Sequence, residues 1–167
     1  FTSFILPKKP ISQLKNVLLG LSEPVKVEYS SESNHIQFSF GNITLFSSLK
    51  EGKYPNYEAV IPTDNPNVFI VSREDFLKSI RRVGIFSNQS TFQVRVSLNE
   101  ETTTISAEDI DYSNKAEESI SGTFVGEPMN IGFNSRFLRE MLENMDSPEN
   151  RIEMSQSTRA ALIVPSE

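Results

Sequence analysis

Cysteine is absent from the 167 residues, tryptophan is absent, and histidine occurs once, at His35. Without thiols no disulfide or thiolate metal site can form, which suits a reducing, cytoplasmic setting. One histidine with no cysteine leaves no zinc-ligand set. A Ser–His–Asp arrangement would have to use His35, and nothing else points to it. There is no P-loop and no dinucleotide fingerprint, so no cofactor is expected. No apolar run approaches the roughly 18 residues that cross a bilayer. No charged-then-apolar leader opens the chain, and its first residue is Phe1, which suits a fragment or a processed product.

Acidic charge exceeds basic charge, with a formal net of −6. The excess is local. Between Glu100 and Glu118 the acids are Glu100, Glu101, Glu108, Asp109, Asp111, Glu117 and Glu118, against Lys115 alone. Elsewhere the chain is balanced. Eight of its sixteen basic residues fall on or at the start of three expected helices: Lys8, Lys9, Lys15; Lys78, Arg81, Arg82; Arg136 and Arg139. Solvated helix faces are one reading, with Arg139 and Glu143 an i,i+4 pair. A basic surface set against acidic strands, able to attract a phosphate backbone without reading sequence, is the other.

Periodicity gives three similar units. In the first, Phe4-Ile5-Leu6 leads to Pro10 and a helix whose apolar face is Ile11, Leu14, Leu18 and Leu21. Strands over 25–29, 36–40 and 43–48 follow. In the second, Val68 to Val71 precedes Ser72-Arg73-Glu74-Asp75, which reads as a capping box with Val71 and Phe76 as its staple. The helix face is Phe76, Leu77, Ile80 and Val83, and strands are expected over 92–98, 102–107 and 119–125. In the third, Met129 to Phe133 runs into Asn134, a good N-cap, with Phe133 and Leu138 as staple. Phe137, Leu138, Met141, Leu142 and Met145 line one face, then strands cover 152–154 and 160–164. Helix starts near Lys9, Ser72 and Asn134 lie 63 and 62 residues apart. The expected class is α+β, with repeated strand–helix–strands units, their helices on one face of antiparallel sheets. The third unit lacks its last strand.

Between the first two units lies Leu49 to Pro62, where Gly52 permits an unusual turn and Pro55, flanked by Tyr54 and Tyr57, makes a rigid aromatic corner. Thr63 to Pro66 reads as a linker. The best enzymatic candidate is Glu108-Asp109-Ile110-Asp111, whose alternate acids hold a magnesium ion if they point the same way. A carboxylate-metal nuclease is therefore the rival reading, and a solvated turn is the bland one.

Several stretches together resemble the bacterial DNA polymerase III beta subunits, the sliding clamps, of the Bacteroidetes type. They are Phe4-Ile5-Leu6-Pro7-Lys8-Lys9-Pro10, Glu51-Gly52-Lys53-Tyr54-Pro55-Asn56-Tyr57 with Val60-Ile61-Pro62, Arg81-Arg82-Val83, Ser106-Ala107 with Ala116-Glu117-Glu118, Ile131-Gly132-Phe133-Asn134, and Arg159-Ala160-Ala161-Leu162-Ile163-Val164-Pro165. The resemblance implies the DNA-clamp fold and a non-catalytic processivity factor that encircles duplex DNA as a homodimeric ring. On that basis 1–62 is the second half of a middle clamp domain, 63–66 a linker, and 67–167 the C-terminal domain without its last strand. The family's DNA-contacting basic pair matches Lys8 and Lys9, while Lys78, Arg81 and Arg82 are added from charge placement. A groove for short peptide motifs of polymerase, clamp loader and repair proteins matches Pro55, Val60, Asn134 and Phe137, with Thr158 and Ala160. Ala59 stands where an arginine is common and Phe137 where a tyrosine is common, so this wall is expected to be more apolar. Ile85 and Phe86 match the apolar pair at the subunit interface. An adaptor that keeps the fold without encircling DNA is a further alternative.

Overall fold

In the computed structural model, which describes residues 3–30 and 32–166, the chain divides into two compact units, 1–57 and 58–167. The first unit holds helix α1 (Lys8–Leu18) and strands β1 (Lys26–Ser30), β2 (His35–Phe40) and β3 (Ile43–Ser48), joined as one antiparallel sheet in that order. An isolated bridge pairs Ile5 with Lys50. Pro7 stands at the N-cap of α1 without a side-chain cap. The helix forms where periodicity places it, but none of its residues is buried. Ile11 and Leu18 are exposed, and the unit's buried apolar side chains are Ile36 and Phe40. A three-stranded sheet and one helix provide too little surface to cover that stripe. The outer edge of β1 is unpaired among the described residues.

The second unit runs β4 (Asn67–Ser72), α2 (Arg73–Val83), β5 (Gln93–Leu98), β6 (Thr103–Asp109), β7 (Asn114–Ile120), β8 (Thr123–Val125), β9 (Met129–Asn134), α3 (Ser135–Glu143), β10 (Glu149–Met154) and β11 (Leu162–Pro165). Two four-stranded antiparallel sheets result, ordered β11-β10-β4-β8 and β7-β6-β5-β9. Their order shows how the two repeats interlock. The leading strand of one, β4, pairs with β10 of the other, and the leading strand β9 pairs with β5. Each repeat completes the other's sheet. Both helices pack on this framework, α2 over β4, β6 and β7, and α3 beside β9 and α2. The core between them includes Phe69, Phe76, Ile80, Val94, Val96, Ile105, Leu138, Leu142 and Ile152. This is the α+β arrangement expected, with helices against antiparallel sheets.

Helix starts follow local chemistry. The Ser72 hydroxyl accepts from the Asp75 N–H at 3.3 Å, and the Asn134 side-chain oxygen accepts from the N–H groups of Arg136 and Phe137 at 3.0 and 3.2 Å. These bonds satisfy donors that a helix start leaves unpaired. Two expectations are corrected. The single strand expected over 119–125 is two strands in different sheets, β7 and β8. The chain crosses between sheets at Ser121-Gly122, where it passes so close to β4 that a Cβ on Gly122 would meet the Phe69 ring at 2.4 Å and the Ile70 carbonyl oxygen at 2.8 Å. The apolar face expected on α3 also divides. Leu138 and Leu142 are buried, whereas Phe137 and Met141 are exposed.

Candidate functional site

Cations on the helices occupy different electrostatic settings. Lys8 and Lys9 begin α1, are exposed, and make no ion pair among the described residues. Three of the four cations of α2 are paired with acids, while Arg73 donates to the Ser147 and Leu142 carbonyls. Lys78 lies 2.6 Å from Glu74 one turn earlier, and Arg81 reaches Glu143 on α3 at 2.8 Å. Arg82 holds Glu118 of β7 with both ends of its fork, Nε to Oε2 at 3.2 Å and Nη2 to Oε1. The buried Ser79 hydroxyl donates to the same Glu118 Oε2 at 2.9 Å. Hydrogen bonds from Arg82, then from Ser79, hold the Glu118 carboxyl below its ordinary value despite partial burial. The bond from Arg81, and then the nearby Arg139 charge, do the same for Glu143. In return Glu118 raises the Arg82 pKa. These pairs are solvent-facing, so phosphate can compete for the arginines at modest cost.

On α3, Arg136 lies over the Phe92 ring, its Cζ 3.4 Å from the centroid. Charge counting placed Arg136 on a helix but could not find this contact. Phe92 has φ of 52°, a backbone state that bulky residues rarely adopt and sequence does not announce.

The candidate groove residues belong to both units. Pro55 is in the first and is exposed, beside Tyr54 and Tyr57, whose rings meet edge to face with centroids 6.2 Å apart. Val60 is in the second, 75% exposed at the end of a turn of 3₁₀ helix, Glu58–Val60. Asn134 and Phe137 are brought together by the α3 cap, and Phe137 is 65% exposed. The Asn134 amide also donates to the Thr91 carbonyl at 3.1 Å. Thr158 and Ala160 lie exposed between β10 and β11. Ser157 of that connection lines a hollow of about 380 Å³ together with Asn134 and Gly132. Ile85 and Phe86 close a 3₁₀ turn after α2 and are 72% and 40% exposed.

The acidic stretch does not make the metal site that the rival reading needs. The alternate acids differ in setting, since Asp109 is buried and Asp111 is exposed. Asp109 Oδ1 instead accepts from the Asp111 N–H at 3.1 Å, closing the turn. Among the described residues no group of three His, Cys, Asp or Glu side chains is placed to hold a metal ion.

Residues 58–167 match the family model described as DNA polymerase III beta subunit, C-terminal domain. The beta sliding clamp of Pseudomonas putida is 30% identical over 159 residues, covering 95% of this chain and 42% of that protein. The Escherichia coli K12 beta sliding clamp is 30% identical over 162 residues, covering 96% and 43%. Among solved structures, a sliding clamp from Bartonella birtlesii bound to griselimycin superposes with a TM-score of 0.92 at 30% identity, covering 100% of this chain and 44% of that one. The DNA polymerase sliding clamp from Pseudomonas aeruginosa gives 0.89 at 27%, covering 98% and 45%. The chain thus spans less than half the length of the relatives it matches.

Proposed function

The chain belongs to the DNA polymerase III beta subunit family, and from that premise we propose that it is part of a DNA sliding clamp. Residues 1–62 are read as the second half of a middle domain, 63–66 as a linker and 67–167 as the C-terminal domain. The whole protein closes as a homodimer around duplex DNA in the cytoplasm and tethers the replicative polymerase without catalysing synthesis. A closed ring needs no tight grip, because topology prevents escape. Weak, sequence-independent phosphate contacts then allow movement along the duplex. Lys8 and Lys9, with Lys78, Arg81 and Arg82, supply those contacts.

One observation carries the reading: strand–helix–strands repeats exchange leading strands to build a two-sheet domain whose helices present cations. Exposed Phe137 and Val60, with Pro55, Asn134, Thr158 and Ala160, form the reading's peptide groove for polymerase, clamp loader and repair proteins. Ile85 and Phe86 are its subunit contact, since exposed aliphatic and aromatic neighbours suit an interface core.

Primer extension with the cognate polymerase tests the function. Adding the whole protein that contains this sequence should lengthen products on a long template at fixed polymerase concentration, and the double variant K8A/K9A should shorten them again. Product lengths that are the same with and without the protein contradict the reading.

A further inference from the structure

The outer face of the sheet β7-β6-β5-β9 carries an open trough of about 370 Å³. Arg95 of β5 lines it and makes no ion pair among the described residues. The trough's other cation, Lys115, is placed differently. It stands opposite Glu108 across the β6–β7 ladder and 4.0 Å from Glu117. Arg95 instead has Ser106 of β6 on one side and Gly132 of β9 on the other. Glu117 lies beyond Ser106, two strands and so about 10 Å across the sheet from Arg95. One cation therefore has two acids beside it, and the other has none.

Those acids also set a direction of approach. They occupy β6 and β7, so a carboxylate drawn to Arg95 is repelled on that side and favoured over β9. Room exists there, since Gly132 has no side chain. The Gln93 amide leans over it, with Nε2 3.0 Å from where a Gly132 Cβ would stand. The same side leads to the hollow that Asn134 and Ser157 line. Thr91 and Gln93 border both the trough and that hollow, and Gln93 is the ladder partner of Asn134. From Gln93 to Arg95 is two residues, about 7 Å along the strand.

We propose that Arg95, with the Gln93 amide beside it, is a subsite for an Asp or Glu side chain of a partner protein's peptide. That acid lies about two residues beyond the short motif held at Asn134, so the subsite rests on the peptide-groove reading. A guanidinium and an amide both offer N–H donors to one carboxylate. The trough is open to solvent, so its contribution is modest and weakens with salt. Its use is discrimination, since partners with the same motif are then ranked by the charge next to it.

The test uses the whole protein containing this sequence and a labelled peptide carrying the motif of the cognate polymerase. Four versions with blocked termini add Glu-Glu or Gln-Gln before or after the motif. At one end of the motif, Glu-Glu should bind roughly two- to fivefold more tightly than Gln-Gln at low salt, and the advantage should shrink as salt rises. R95A should abolish the advantage while leaving Gln-Gln affinity unchanged, which also shows that the variant is folded. R95E should make Glu-Glu the weaker peptide, and F137A should weaken all four versions alike. Suppose the Gln-Gln peptides bind and F137A weakens them, yet Glu-Glu has no advantage at either end, or keeps its full advantage in R95A. The subsite is then overturned and the groove stands. If no version binds the wild-type protein, the groove reading fails and the subsite falls with it.

Discussion

Arg82 on α2 and Glu118 on β7 are joined at both ends of the guanidinium fork, with Nε 3.2 Å from Oε2. The pair ties a helix to an edge strand 36 residues away in sequence. The Glu118 carboxyl is held below 4.5, its ordinary value. A carboxyl lowered by folding stabilises the folded state fully above its unfolded value, and that contribution disappears as pH falls through the folded one. The E118Q variant should therefore melt below wild type at pH 7, and the gap should be narrower at pH 3. A gap of the same size at both pH values would mean that the pair's charge is not the cause.

Gly122 stands where no larger residue fits. Phe69, whose ring a Cβ would strike, is fully buried and cannot swing away. In G122A the crossing between sheets must shift, at a cost of about 1–3 kcal/mol. Urea denaturation should show a lower midpoint with an unchanged slope. A wild-type midpoint would show that the β7–β8 crossing is more pliant than its packing implies.

Neighbouring side chains on α3 should separate stability from recognition. Leu138 is buried and Phe137 is 65% exposed. Truncation in L138A leaves a cavity and should cost about 2–5 kcal/mol. F137A should leave the melting temperature nearly unchanged but weaken binding of the short peptide motifs proposed for the groove to the whole protein by at least tenfold. Equal peptide affinity for F137A and wild type would remove Phe137 from the groove.

Asn134 has a structural duty whatever it recognises. Its oxygen caps α3 and its amide donates to Thr91. Loss of the cap in N134A should cost about 1–2 kcal/mol. N134D keeps the capping oxygen and should recover most of that loss in the same denaturation measurement. Equal destabilisation by both substitutions would place the main contribution in the bond to Thr91.

Legibility in the sequence followed the range of the interaction. Ser72 and Asn134 could be read as helix starts because each cap closes within three residues. Alternation revealed most strands because their two faces meet core and solvent in turn. The β7–β8 division could not be read, since Gly122 answers to Phe69 on a distant strand. Helical period placed Phe137 and Leu138 on one side of α3 but could not say how much of that side the core covers. On α1 the period was right and the cover absent, because the described residues of the first unit form a single sheet. The cations of α2 were visible as a cluster, yet Glu118 and Glu143, their partners, lie 36 and 62 residues away. Arg136 was counted without its Phe92 support, which depends on a turn that no residue type signals.

Enclosure of DNA is tested most directly by comparing circular with linear duplex. The whole protein containing this sequence is assembled on a nicked circle, separated from free protein by gel filtration in moderate salt, and then exposed to a single cut in the DNA. Retention on the intact circle for many minutes, with prompt release once an end exists, is the predicted result. Equal retention on circle and cut DNA, or equal loss from both, would contradict it.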